Sequence, residues 1–171
     1  MRSAAPSRRP LSLNKPAFRL LPGAAPVLSE ARMGGLGLTF HHLGLAAREP
    51  QAACHVLKAL GYRCGEEIFD PEQNVRLVMC NHDAMPSVEV IAPGSDGKTP
   101  VDRLVARHGG GIVYHLCYTT ADLPATLAAM EKQGLHATCV APPTPAILFG
   151  GERVSFYLLD GLGLIEIIER A

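Results

Sequence analysis

FHHLGLA, residues Phe40–Ala46, is the stretch on which the reading of this chain turns. It recurs in form once. IVYHLCYT (Ile112–Thr119) carries His115 where the first stretch carries His42, 73 residues earlier. Each histidine stretch leads into a helical pattern, then into strands ending in an apolar run broken by a carboxylate. Those runs are VEVIAP (Val88–Pro93), with Glu89, and LIEIIE (Leu164–Glu169), with Glu166. A period of roughly 75 residues is too long for a solenoid repeat and fits a duplicated half-domain.

Working outward, Thr39–Ala46 alternates as a strand should. The alternation predicts His41, Leu43 and Leu45 on one face, and Phe40, His42, Gly44 and Ala46 on the other. Small residues around His42 leave room for another group. Pro50–Leu60 predicts a helix: proline suits its first turn, Val56, Leu57 and Leu60 share an apolar stripe, and Gly61 stops it. Strands are expected at Tyr62–Ile68, Val75–Cys80 and Val88–Ile91, and a short helix at Val101–His108. The second half repeats the order. Its strand is Ile112–Thr119, and its helix Leu123–Gln133 has Asp122 as N-cap. His136–Val140 is a further strand, followed by a proline-rich loop. Ala146–Phe149 and Arg153–Leu159 flank Gly150-Gly151 as a hairpin, and Leu164–Glu169 closes the chain. The expected fold class is α+β: two βαβββ modules in tandem, 39–93 and 111–170, forming a cupped, mixed sheet around a central metal site.

Residues 1–37 do not read as part of that fold. Prolines 6, 10, 16, 22 and 26 interrupt them. They read as a disordered or extraneous extension, with Met33 an alternative start. A basic, acid-poor N-terminus also has the composition of a mitochondrial transit peptide, although the prolines spoil its helix. The localisation expected is therefore cytoplasmic, or the mitochondrial matrix if 1–37 is such a peptide. Residues 38–171 are expected to form a single domain.

The chain has 16 Lys/Arg and 16 Asp/Glu. Up to Arg32 the ratio is six to one, leaving ten basic against fifteen acidic residues beyond. A mildly acidic body carries no nucleic-acid footprint. No apolar run approaches the ~20 residues of a membrane span. The five cysteines are odd in number and form no CxxC, which points to free, mostly buried thiols rather than a disulfide or zinc-ribbon framework.

A strand can aim one side chain into a shared cavity. If the two modules pair about a pseudo-twofold axis, His42, Glu89, His115 and Glu166 meet at its centre. Neutral imidazoles with carboxylates suit one divalent ion such as Zn, Co, Ni, Mn or Fe. Four protein donors leave two adjacent octahedral positions for a substrate with neighbouring oxygens, and the ion then acts as a Lewis acid on a developing enolate. A histidine in a strand is more often structural than ligating. An isolated glutamate in an apolar run is more often solvated, as is expected of Glu169. Four such residues at equivalent places reverse that weighting, because an unpaired buried carboxylate is costly.

At these residues the chain resembles the vicinal oxygen chelate superfamily, which includes glyoxalase I, extradiol dioxygenases, fosfomycin-resistance enzymes, bleomycin-binding proteins and methylmalonyl-CoA epimerase. The likeness covers about Thr39–Arg170. HHLGLA, DPEQNV, VEVIAP, GGGIVYHLCY and GLGLIEIIE look most like the epimerase branch. The resemblance implies His42, Glu89, His115 and Glu166 as metal ligands and Glu166 as catalytic base. It implies a metal-dependent isomerase or epimerase that stabilises the enolate of a small acyl thioester, of coenzyme A or glutathione. A glyoxalase I-type lactoylglutathione lyase and a non-enzymatic binding or resistance protein are the alternatives. Module pairing within a chain or across a homodimer satisfies the same spacing. One departure stands out. The epimerases carry a second base four residues after the glutamine of the PEQ turn, and here that position is Leu77. Glu72 and Gln73 are the nearest replacements.

Overall fold

The computed structural model describes residues 35–95 and 97–170. The predicted extension at 1–37 falls almost wholly outside them. The first half contains β1 (Thr39–Ala46), α1 (Pro50–Ala59), β2 (Arg63–Cys64), β3 (Ile68–Asp70), β4 (Val75–Asn81) and β5 (Ser87–Pro93). After α2 (Asp102–His108) come β6 (Ile112–Thr120), α3 (Leu123–Lys132), β7 (Ala137–Pro145), β8 (Arg153–Leu159) and β9 (Gly163–Glu169). The nine strands of the described residues join one sheet in the order β2-β4-β5-β1-β6-β9-β8-β7, with β3 on β4. This is an α+β fold. From the middle outward, β1-β5-β4-β2 on one side answers β6-β9-β8-β7 on the other. Among the described residues no helix is long and apolar enough to cross a membrane.

The middle of the sheet positions the site. β1 runs antiparallel to β6, with His42 opposite Cys117 and Gly44 opposite His115. β1 runs parallel to β5, with Gly44 opposite Glu89, and β6 runs parallel to β9, with Cys117 opposite Glu166. Gly44 and Cys117 are thus equivalent points, each two residues after a histidine and beside a glutamate. Apolar clusters cover the sheet. Leu123 and Met130 of α3 pack on Leu38, Tyr118 and Ile165, and Cys54 and Leu57 of α1 pack on Val78 and Val90. Burying such side chains contributes roughly 1.5–3 kcal/mol each before entropy is counted. At α3, Asp122 accepts a hydrogen bond from the Ala125 N–H at 2.9 Å, the predicted cap.

Four expectations are corrected. Tyr62–Ile68 is not one strand: β2 and β3 are separated at Gly65-Glu66-Glu67, where the run has no apolar side chain to bury. The second correction concerns the proline-rich segment after Val140, which belongs to β7 rather than to a loop. β7 is an edge strand, and register shifts near Ala141 accommodate residues that lack an N–H. Third, Ala146–Phe149 is not a hairpin arm. Ile147–Phe149 is a 3₁₀ turn, closed by the Gly151 N–H to the Ala146 carbonyl at 3.0 Å and capped by Gly150 at φ 67°. The fourth concerns His41. A bulge between Phe40 and His42 breaks the alternation of β1. Phe40 therefore packs with Tyr118 in the cluster beneath α3, while the His41 ring lies 5.6 Å from Phe149 and touches His42. His41 does not share a face with Leu43 and Leu45, which pack in the α1 cluster.

Candidate metal centre

His42, Glu89, His115 and Glu166, predicted from four separate strands, converge and are almost wholly buried, at 0, 4, 2 and 3% exposure. One donor atom from each lies within 4.8 Å of the others. His42 Nε2 is 3.1 Å from Glu89 Oε2 and 3.3 Å from Glu166 Oε2. His115 Nε2 is 3.7 Å and 3.4 Å from the same two oxygens, and 3.5 Å from His42 Nε2. Donors about 2.1 Å from one ion stand roughly 3.0–3.4 Å apart at octahedral or tetrahedral angles. The cluster is therefore close to the spacing an ion requires. Glu166 Oε2 is buried without a hydrogen-bond partner, 3.3 and 3.4 Å from the two imidazole nitrogens, and an orphaned carboxylate oxygen so placed could hold a cation.

Electrostatics lead to the same conclusion. Burial would lower the His42 pKa, but the facing carboxylates of Glu166 and Glu89 outweigh it and raise the pKa to about 9. Burial, reinforced by the charge of Glu166, raises the pKa of Glu89 against the pull of His42. For Glu166, burial also acts upward, yet the facing imidazoles of His115 and His42 hold its carboxyl below the usual range. Without a cation, protons do the work of neutralising two buried carboxylates, and a divalent ion would displace them.

The surroundings explain how the ligands are oriented. His41 Nδ1 is 2.7 Å from His42 Nδ1. For His42 to present the lone pair of Nε2 to the centre, its Nδ1 carries the hydrogen and donates it to His41. Burial and the charge of His42 lower the His41 pKa to about 4, consistent with a neutral acceptor. Such outer partners fix tautomer and ring angle. Phe149 stacks on His42 with centroids 5.7 Å apart. A Cβ at Gly44 would overlap the imidazole of His115, so the room foreseen beside His42 is the seat of the second histidine. His41 was legible only as a doubled histidine; nothing local announced the bulge that turns it toward His42.

A cavity of about 670 Å³ opens beside the quartet. Its walls include Gln73, Lys98, Tyr114, Pro142 and Phe156. Gln73, Tyr114 and Phe156 also line the smaller pocket that holds Glu89, His115 and Glu166, so they stand between the two. Leu77, 5% exposed, lines that inner pocket at the position of the epimerases' second base. Glu72 and Gln73 line the outer cavity, on a turn fixed by the Asp70 carboxylate accepting from both of their backbone N–H groups. Cys117 does not line the cavity: it is fully buried in a cluster with Val154 and Ile168, with its sulfur within 4.8 Å of ring nitrogens of His41 and His42. Other candidates fall away from the site. Arg153 pairs across the sheet with Glu169 at 3.8 Å, so Glu169 is half-buried rather than solvated. His82 accepts backbone hydrogen bonds from Ala84 and Met85 in its loop.

Residues 41–156 match the Glyoxalase/Bleomycin resistance protein/Dioxygenase superfamily. The chain belongs to that superfamily, the vicinal oxygen chelate proteins. No curated protein matches it in sequence. Among solved structures it is similar to a hypothetical protein from Bacillus halodurans, with TM-score 0.62 and 17% identity over 78% of this chain and 95% of that one. It is similar to methylmalonyl-CoA epimerase from Mycobacterium tuberculosis, with TM-score 0.59 and 20% identity over 77% and 87%. A variant of the Streptomyces coelicolor methylmalonyl-CoA epimerase, in complex with 2-nitronate-propionyl-CoA, aligns with TM-score 0.57 and 23% identity over 77% and 96%. At these identities the likeness is one of fold.

Proposed function

We propose that the chain is a divalent-metal-dependent isomerase of the epimerase kind, moving a proton beside the carbonyl of a small acyl thioester. The supporting observation is the quartet itself: four buried donors on four central strands, adjoining a substrate-sized cavity. His42, Glu89, His115 and Glu166 would hold the ion. Bound there, the ion supplies Lewis acidity toward two neighbouring substrate oxygens. The chain's own residues supply the rest. Glu166, whose Oε2 lacks a hydrogen-bond partner, takes the proton from one face of the carbon, and Glu72 at the cavity wall returns one to the opposite face. Tyr114 and Phe156 narrow the approach and exclude water, and Lys98 at the cavity wall meets an anionic end of the substrate. The epimerase neighbours, one of them in complex with methylmalonyl-CoA, support a coenzyme A thioester.

A second reading is favoured by Leu77. An apolar side chain in the inner pocket leaves one carboxylate to carry the proton both ways. That arrangement suits isomerisation of a glutathione hemithioacetal, as in a glyoxalase-type lyase, better than a two-base inversion.

Elemental analysis of the purified, metal-loaded protein, followed by proton exchange in deuterium oxide, tests both readings. Near-stoichiometric divalent metal with deuterium entering methylmalonyl-CoA supports the first. Metal with turnover of the methylglyoxal–glutathione adduct alone supports the second. A protein that takes up no divalent ion overturns both and leaves a metal-free binding protein.

A further inference from the structure

Toward the β2 edge of the sheet, in the cluster that packs with α1, three thiols converge. Cys54 comes from α1, Cys64 from β2 and Cys80 from β4, with their sulfurs within 4.8 Å of one another. They are not equidistant. Cys80 Sγ is 2.7 Å from Cys64 Sγ but 3.9 Å from Cys54 Sγ. Cys64 and Cys80 face each other directly across the antiparallel β2–β4 pair. The Gly65 N–H bonds the Met79 carbonyl at 2.8 Å just beyond them, which puts Cys64 and Cys80 at a non-hydrogen-bonded position. At such positions Cα atoms approach to about 4.5 Å, within the span a disulfide bridges. A thiolate metal site fits less well: sulfurs about 2.3 Å from a shared zinc would stand roughly 3.8 Å apart. Burial also raises the pKa of Cys80 and Cys54, which opposes the thiolates that a metal needs. Cys80 is fully buried, whereas half-buried Cys64 lines a surface cavity of about 330 Å³ through which a small oxidant can reach it.

We propose that Cys64 and Cys80 are a redox pair that closes to a reversible disulfide on exposure to a hydroperoxide, with Cys54 left reduced. The Cys64 thiolate attacks a peroxide oxygen. The O–O bond breaks, Cys64 becomes a sulfenic acid, and the other oxygen leaves as water or alcohol. The Cys80 sulfur then attacks the sulfenic sulfur, the S–O bond breaks, and hydroxide departs with the Cys80 proton as water. Two thiols lose two electrons and one peroxide gains them; a dithiol reductant reverses the step. The closed loop contains β3 and the turn at Asp70–Asn74, whose Glu72 and Gln73 line the main cavity. Oxidation therefore ties down one lip of that cavity.

The test uses the full chain with Cys139→Ser, which removes the exposed thiol on β7. The protein is treated with hydrogen peroxide, alkylated without reductant and mapped by mass spectrometry. The expected product is a cross-linked pair of peptides joining Cys64 to Cys80, with Cys54 alkylated. The link disappears after dithiothreitol, is absent in Cys64→Ser and survives in Cys54→Ser. Circular dichroism establishes that each variant is folded; Cys64→Ala replaces Cys64→Ser, and Cys54→Ala replaces Cys54→Ser, where the serine variant is not. Full alkylation of Cys64 and Cys80 after peroxide overturns the proposal. So does a link from Cys54 instead, or zinc bound to the three thiols in the untreated protein.

Discussion

The two halves of the sheet supply the quartet almost symmetrically, yet they treat their histidines differently. His42 leans on His41 through Nδ1 and lies under Phe149. Nδ1 of His115 is buried and has no hydrogen-bond partner, and its ring occupies the space left by Gly44. Their helices differ as well. Asp122 caps α3 through its side chain, whereas Glu49 at the start of α1 makes no such bond. The matching strand order of the two halves thus accounts for which residues meet at the centre. The departures from symmetry account for how each is held, and every expected outcome below probes one departure.

The largest effect belongs to the part the halves share. His115→Ala should abolish metal retention, exceeding the roughly 10–100-fold loss typical of a change outside the ligand shell, as read by elemental analysis after gel filtration. Retention of the ion would show that the quartet is not the ligand set. The cores come next. Met130 of α3 is 1% exposed and Leu57 of α1 is 8%. Met130→Ala should cost about 3–5 kcal/mol in denaturant unfolding and Leu57→Ala about 2–3 kcal/mol. A larger loss at Leu57 would reverse the ranking of the halves. His41→Ala should weaken metal binding about 10–100-fold while leaving the far-ultraviolet circular dichroism unchanged. Loss as complete as that of His115→Ala would instead make His41 a ligand. Asp122→Ala should cost about 1 kcal/mol as a lost cap. Glu49→Ala should cost less, about 0.5 kcal/mol, since that side chain makes only an exposed ion pair with Arg76. Equal shifts in the denaturant midpoint would remove the contrast between the helices.

Much of this site was legible before any coordinates. The recurrence of a histidine strand and of a carboxylate in an apolar run named all four residues, because a side chain facing a shared cavity repeats with the half-domain. Strand and helix positions followed from alternation and from punctuation by glycine and proline. Where the reading failed, hydrogen bonding to a distant strand had overruled local pattern. Pro142, Pro143 and Pro145 look like loop residues, yet β7 pairs only on one side and tolerates them. Ile147–Phe149 looks extended, but the bonds that close its loop wind it into a turn.

By itself the sequence determined the duplicated order of elements, the identity of the four converging donors and the absence of a glutamate at position 77. Those are properties of local period and composition, readable one half at a time. Only the tertiary structure decided that His41 turns toward His42, that Gly44 is the seat of His115, and that Cys54, Cys64 and Cys80 form a cluster. Each depends on the register between strands far apart in the chain, and a bulge of one residue is enough to reassign a face.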